Sequence, residues 1–216
     1  MTLSPNNQAY LAFLRDIAEV SAACETVTYI WGGMTVDLLE GRFLREHHDL
    51  DGFTLDLLDV RGGMAVHYEE RGYAVEWRSD IDMLVIRRDG LHAAFNRLEI
   101  DGETAMWRHV GREGTVYFPA AWLDAAPREF HGVEVTCAGA QLDYALKTNV
   151  RLTHATWEAR EKDQAAIAYL EKILAEQCQE PEVFLRQIWS YTPFWAKRGH
   201  AAYAMPVVAR ALAPLG

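Results

Sequence analysis

Two aspartates separated by one residue, Asp49 and Asp51, are the residues of this chain that most clearly suggest a chemical role. Apolar residues alternate around them as they do in a strand, and side chains two positions apart on a strand point to the same face. Both carboxylates can therefore converge on one divalent cation, because Mg²⁺ prefers hard anionic oxygens. The pair predicts a Mg²⁺ site at which a triphosphate is neutralised and its phosphorus polarised.

A diglycine turn, Gly32-Gly33, precedes the two aspartates. It follows an apolar alternation, Val27, Tyr29 and Trp31, which indicates a strand. Glycine allows a tight turn whose amide hydrogens face a phosphate, although an ordinary strand-to-helix turn also favours glycine. The order of strand, turn, short helix and carboxylate-bearing strand is typical of a nucleotide-transfer site.

Eight residues from this segment have a characteristic spacing, and they are Gly32, Gly33, Asp37, Gly41, Arg45, His47, Asp49 and Asp51. The pattern resembles the signature of polymerase-β-like nucleotidyltransferases and, more narrowly, of the aminoglycoside and lincosamide nucleotidyltransferases. A weaker similarity follows around Arg160, Lys162 and Asp163. The resemblance implies Mg²⁺-dependent transfer of a nucleoside monophosphate, AMP from ATP or from another nucleoside triphosphate, to a hydroxyl of a small molecule such as an aminoglycoside-like antibiotic.

Three further residues of the pattern, Asp37, Arg45 and His47, lie off the expected metal face. We expect them to support the site, because Arg45 can hold a carboxylate in a bidentate pair and His47 can orient one. Direct contact of either residue with substrate stays open. The resemblance also implies that Lys147 lies near the triphosphate, with a solvated helix lysine as the alternative.

The resemblance implies a third carboxylate on a later strand, and here the chain departs from the pattern. The best register places Ala94, Phe95 and Asn96 there, so a methyl group occupies the position of the carboxylate. His92 shares a strand face with Ala94 and is an alternative base, since histidine titrates near neutral pH.

Two carboxylates, Asp82 and Glu99, are the other candidates for the base. Glu99 should face away from His92, and Asp82 begins an earlier strand. The missing carboxylate also favours an alternative function, a catalytically silent relative that binds a nucleotide or a partner. A third possibility treats His48-Asp49 as the metal pair of a phosphohydrolase.

The formal charge of -10 over 216 residues opposes nucleic-acid binding, which requires concentrated Lys and Arg. An acidic surface attracts a cationic small molecule, although many proteins are acidic for solubility alone. No apolar run is long enough to span a bilayer, and the N-terminus lacks a signal pattern, so we expect a cytoplasmic protein without membrane contact. Three widely spaced cysteines indicate reduced thiols.

The pattern along the chain predicts an α+β fold. A helix after Ser4-Pro5 precedes the motif, a helix over 60–71 follows it, and turns at Asp89-Gly90 and Asp101-Gly102 separate antiparallel strands. From Gln141 onward the apolar period is helical. We predict a nucleotidyltransferase core over residues 1–120, with a mixed or antiparallel sheet flanked by helices, and a mainly helical module over 121–216.

Overall fold

The computed structural model describes residues 3–109, 114–148, 160–179 and 191–193. Its helices are α1 (Pro5–Ala23), α2 (Gly33–Glu40), α3 (Leu57–Glu70), α4 (Ala140–Thr148) and α5 (Glu161–Glu176), with a 3-10 turn over Ala120–Trp122. Its strands are β1 (Thr28–Trp31), β2 (Leu50–Leu55), β3 (Ala74–Arg78), β4 (Met83–Arg88), β5 (Leu91–Asp101), β6 (Thr104–His109), β7 (Gly114–Pro119), β8 (Arg128–Phe130), β9 (Val133–Cys137) and β10 (Tyr191–Pro193).

The chain forms two compact units. The first combines Met1–Leu98 with Leu123–Gly139, and the second combines Glu99–Trp122 with Ala140–Gly216. This division differs from the expected boundary after residue 120. It assigns β8 and β9, which lie in the segment expected to be mainly helical, to the first unit.

The first helix begins as the sequence predicts. The Asn7 amide donates to the Ser4 hydroxyl oxygen over 3.2 Å, and Pro5 stands in the first turn. The buried residues of α1 recur at helical spacing and are Tyr10, Phe13, Leu14, Ile17, Val20 and Ser21. Because this stripe is apolar apart from Ser21, α1 is fixed to the sheet by burial of one face.

The sheet of the first unit has the strand order β4-β5-β2-β1-β9-β8, with β3 paired to β4. The β2–β5 and β1–β9 pairs are parallel, whereas the β1–β2, β3–β4, β4–β5 and β8–β9 pairs are antiparallel. The predicted α+β class with a mixed sheet and flanking helices is confirmed. The buried core joins the helices to one sheet face through residues that include Phe13, Ile30, Leu50, Met64 and Phe95.

The second unit contains an antiparallel sheet in the order β6-β7-β10 and a pair of packed helices, α4 and α5. The Tyr144 hydroxyl donates to Glu171 Oε1 over 3.3 Å and links the two helices.

Cys24, Cys137 and Cys178 are all reduced thiols. No helix among the described residues is long and apolar enough to cross a membrane.

Candidate active site

The turn between β1 and α2 depends on the conformational freedom of one glycine. Gly32 has a φ of +80°, which residues with a side chain rarely adopt, and α2 begins at Gly33. The first amide groups of α2 have no partners within the helix, and together with the helix dipole they attract anions. The turn is therefore suited to bind a phosphate.

A carboxylate lies directly against this turn. Asp51 pairs in the β1–β2 ladder with Trp31, the residue before Gly32. A Cβ built on Gly32 would lie 3.0 Å from Asp51 Oδ2, so the glycine leaves room for the carboxylate as well as for the turn. Asp51 is half-buried, and its oxygen is fixed beside the backbone at the start of α2.

The other aspartate, Asp49, is exposed and lies one residue before β2, which begins at Leu50. The sequence interpretation that one strand carries both carboxylates is therefore wrong for Asp49. Leu50, between the two aspartates, is 1% exposed and packs in the core. The carboxylates of Asp49 and Asp51 offer hard oxygen ligands, which Mg²⁺ prefers. Within the described ranges no three His, Cys, Asp or Glu side chains gather as a metal site.

The second glycine of the turn has a different role from the first. Gly33 has no positive φ, but a Cβ built on it would overlap Arg45 Nη2. The Arg45 guanidinium thus lies over the first residue of α2. Its Nη1 donates to the Glu46 carbonyl over 3.2 Å, and among the described residues it forms no ion pair with a carboxylate. The bidentate carboxylate partner expected for Arg45 is not found there.

A buried pair fixes the loop that carries the aspartates. His47 Nε2 donates to Asp37 Oδ2 over 2.8 Å, and both side chains are 1% exposed. The Leu44 amide donates to the same Asp37 oxygen over 3.0 Å, and Asn6 Nδ2 donates to the His47 carbonyl over 3.2 Å. These bonds tie the loop between α2 and β2 to both α1 and α2.

Tyr10 of α1 lies beside this loop, with its ring centroid 6.0 Å from that of His47. Burial, and secondarily the negative charge of Asp49, raises the pKa of Tyr10 to about 12. The hydroxyl is buried and has no hydrogen-bond partner among the described residues. Sequence reasoning missed this residue, because a tyrosine in an apolar helical stripe gives no signal beyond packing.

The parallel β2–β5 ladder shows what stands beside the aspartates. Asp51 pairs with Ala94, and Leu50 pairs with Ala93. Ala94 therefore occupies the neighbouring position on the same face as Asp51. His92, which is half-buried and pairs with Arg87 of β4, lies on that face one step beyond the β2–β5 pairs. No carboxylate stands beside Asp51 on β5.

The two alternative bases differ in their surroundings. Asp82 is 8% exposed, and its Oδ2 lies 3.2 Å from Arg97 Nη1, so a guanidinium already holds this carboxylate. Glu99 lies in the second unit, in the last part of β5.

Lys147 lies on α4 in the second unit, where it is mostly buried. Its Nζ is 3.7 Å from Oδ2 of the buried Asp143, so a solvated helix lysine is not what the structure shows.

The other residues of the second unit that resemble the family pattern lie at the start of α5. Arg160 Nε donates to Asp163 Oδ2 over 2.7 Å, whereas Lys162 is exposed. Burial would raise the pKa of Asp163, but these bonds from Arg160 lower it.

The sheet, the glycine turn and the carboxylate against it define a nucleotidyltransferase. The chain matches the model of a family described as aminoglycoside-2''-adenylyltransferase over residues 13–170, and it belongs to that family. No curated protein matches the chain. The sequence-based prediction of an aminoglycoside or lincosamide nucleotidyltransferase-like enzyme is thereby confirmed.

Solved structures agree with this assignment of the fold. The solution structure of the antibiotic-resistance factor ANT(2'')-Ia has a TM-score of 0.64 at 16% identity, covering 90% of this chain and 94% of that chain. The crystal structure of ANT(2'')-Ia with adenylyl-2''-tobramycin has a TM-score of 0.61 at 17% identity, covering 83% and 95%. Lincomycin-bound lincosamide antibiotic adenylyltransferase LnuA has a TM-score of 0.53 at 16% identity, covering 80% and 99%.

Proposed function

We propose that this protein transfers AMP from ATP to a hydroxyl group of a small, cationic, antibiotic-like molecule, with Mg²⁺ held by Asp49 and Asp51. The observation that carries the proposal is the position of Asp51 Oδ2 against Gly32. A carboxylate beside a phosphate-binding turn repels a triphosphate unless a cation stands between the two anions. Bound Mg²⁺ would supply that positive charge and polarise the phosphorus under attack.

The triphosphate would bind at the N-terminus of α2, where two sources of positive potential coincide. One is the set of first amides of α2, which have no partner within the helix, and the other is the Arg45 guanidinium over Gly33. A cation at a helix N-terminus is unfavourable by itself, because the helix dipole is positive there. An anion that binds both groups removes this repulsion, so we assign Arg45 to the phosphates.

The reaction is an in-line displacement at the α-phosphorus. The acceptor hydroxyl oxygen forms the new P–O bond, the bond to the bridging oxygen of pyrophosphate breaks, and the hydroxyl proton leaves to a base. His92 is the candidate base on the face of β5 that carries Ala94. His92→Ala should then lower turnover at least about a hundredfold. Undiminished turnover would remove His92 from the mechanism and direct attention to Glu99 or Asp82.

Two observations support a cationic, hydroxylated acceptor. The formal charge of -10 attracts polyamines to the surface of the protein. ANT(2'')-Ia was crystallised with adenylyl-2''-tobramycin, and LnuA with lincomycin.

A pyrophosphate-release assay over a panel of aminoglycosides and lincosamides tests this function. We expect ATP- and Mg²⁺-dependent release with at least one acceptor, and a mass increase of that acceptor by one adenylyl group. The matched control is the same acceptor lacking the modified hydroxyl, which should give no release. Tight binding of Mg²⁺ and ATP without release for any acceptor would instead support a silent nucleotide-binding relative.

A further inference from the structure

Asn96 has a buried side-chain oxygen to which no described residue donates a hydrogen bond. The residue is 3% exposed, and its Oδ1 has no hydrogen-bond partner in the part of the chain that the structure describes. Its Nδ2 donates to the Gly52 carbonyl over 3.5 Å, a long bond that directs the nitrogen toward β2. Buried polar atoms are nearly always paired, because an unpaired one loses its bonds to water without replacement. An exception of this kind calls for a ligand or another specific cause.

The position of Asn96 relates it to the proposed metal site. In the β2–β5 ladder Asp51 pairs with Ala94, and Phe53 pairs with Asn96. Asn96 therefore shares the face of Asp51 and Ala94, one diagonal step from Asp51. The Cα atoms of diagonal neighbours in a sheet are about 7–8 Å apart. This distance is close to the one between the Cα atoms of residues i and i+2 on a single strand. The side chains of Asp51 and Asn96 can thus meet at one ion.

The surroundings of Asn96 on this face are apolar. Its ladder partners are Phe53, which is 0% exposed, and Met83 of β4, which is 8% exposed. Neither side chain can donate a hydrogen bond to the carboxamide oxygen. Packing alone would favour an apolar residue of similar size at this position.

We propose that Asn96 Oδ1 supplies the third oxygen to the divalent cation that Asp49 and Asp51 bind. This inference rests on the proposed function, because it requires the cation at those carboxylates. Ala94 cannot contribute a ligand, and the described residues contain no third His, Cys, Asp or Glu that gathers into a metal site. A carboxamide oxygen is an ordinary ligand for hard divalent cations. It is neutral, so the site binds its cation with one negative charge fewer than three carboxylates would provide.

The test uses Mn²⁺ as the probe, with the full-length protein and a nonhydrolysable ATP analogue. Free Mn²⁺ is measured by its electron paramagnetic resonance signal, a readout independent of turnover. Asn96→Leu removes the oxygen and keeps the volume, and Asn96→Asp keeps the oxygen and adds a charge. Asn7→Ala is the matched control, because Asn7 Oδ1 is also buried without a partner among the described residues but lies on α1.

We expect Asn96→Leu to raise the dissociation constant of Mn²⁺ by about tenfold or more, the scale seen when groups supporting a metal site are removed. Asn96→Asp should lower the constant, and Asn7→Ala should leave it unchanged. Without metal, Asn96→Leu should melt at a temperature equal to or above that of the wild type, because an unpaired buried oxygen is gone.

Unchanged Mn²⁺ affinity in both Asn96 variants, together with loss of binding in Asp51→Asn, would overturn the role of Asn96 alone. Undiminished binding in Asp51→Asn would overturn the proposed metal site itself, and the role of Asn96 with it. If Asn96→Leu fails to fold, Asn96→Asp decides, because a ligand position gains affinity from the added charge whereas a packing position does not.

Discussion

His47 Nε2 donates a 2.8 Å hydrogen bond to Asp37 Oδ2, and both side chains are 1% exposed. This bond joins the middle of α2 to the loop that ends at Asp49 and β2. Since Asp37 also accepts from the Leu44 amide, one buried carboxylate fixes two points of the same loop. The pair therefore sets the position of the aspartates relative to the glycine turn at the opposite end of α2.

We expect His47→Ala to destabilise the protein by about 2–4 kcal/mol, because it leaves the buried Asp37 carboxylate without its strongest donor. Urea denaturation gives the free energy of unfolding. The control is Arg42→Ala, which breaks only the exposed ion pair with Glu40 in the same loop and should have little effect. Equal stability of both variants would show that the buried bond does not hold the loop.

We expect Gly33→Ala to weaken ATP binding while the protein stays folded. The added methyl group would meet the end of the flexible Arg45 side chain, which can move away from the phosphate site. In an Arg45→Ala background the same substitution should have no further effect. Calorimetric titration of all four proteins with Mg²⁺ and ATP measures the coupling. An undiminished effect of Gly33→Ala in that background would show that phosphate approaches the glycine backbone independently of Arg45.

We expect Ala94→Asp to make stability depend on Mg²⁺. The new carboxylate would stand beside Asp51, and two neighbouring like charges repel one another unless a cation binds between them. The variant should melt below the wild type without Mg²⁺ and gain more than the wild type when Mg²⁺ is added. Turnover should also rise if the position supplies a metal ligand or a base. An Mg²⁺-induced shift equal to that of the wild type would place the cation elsewhere.

We expect stability to fall as the pH rises from about 10 toward 12, in part because of Tyr10. Burial raises the pKa of its hydroxyl to about 12, whereas an unfolded tyrosine titrates near 10. Over this interval the unfolded state releases a proton that the folded state retains, so high pH favours unfolding. In Tyr10→Phe the fall should be shallower when unfolding is measured across these pH values. An identical slope would show that Tyr10 does not contribute.

The sequence alone predicted the β1-turn-α2-β2 unit well, because glycine spacing and strand alternation are local signals. The start of α1 at Ser4 and Pro5 was predictable for the same reason. β8 and β9 were not predicted, since they are short and are held by pairing with distant strands. β3 was also missed, and only its pairing with β4 makes it a strand.

The side-chain partners could not be predicted from spacing. Arg45 and Asp37 belong to the same motif, yet the structure pairs Asp37 with His47 and places Arg45 over Gly33. The unsatisfied oxygen of Asn96 is likewise visible only after its neighbours are known. The sequence also suggests an aromatic wall for the acceptor, with helix packing as the alternative, formed by Trp189, Tyr191, Phe194 and Trp195. Only the backbone of Tyr191 belongs to the described residues.

Calorimetric titration of the wild type and of Asp51→Asn with ATP, with and without Mg²⁺, tests the central claim most directly. Asp89→Asn is the matched control, because Asp89 is an exposed turn residue with a φ of +51°, which asparagine tolerates. We predict Mg²⁺-dependent ATP binding in the wild type and in Asp89→Asn, and its loss in Asp51→Asn. Mg²⁺-dependent binding of equal affinity in all three proteins would contradict the assignment of the cation to Asp51 beside Gly32.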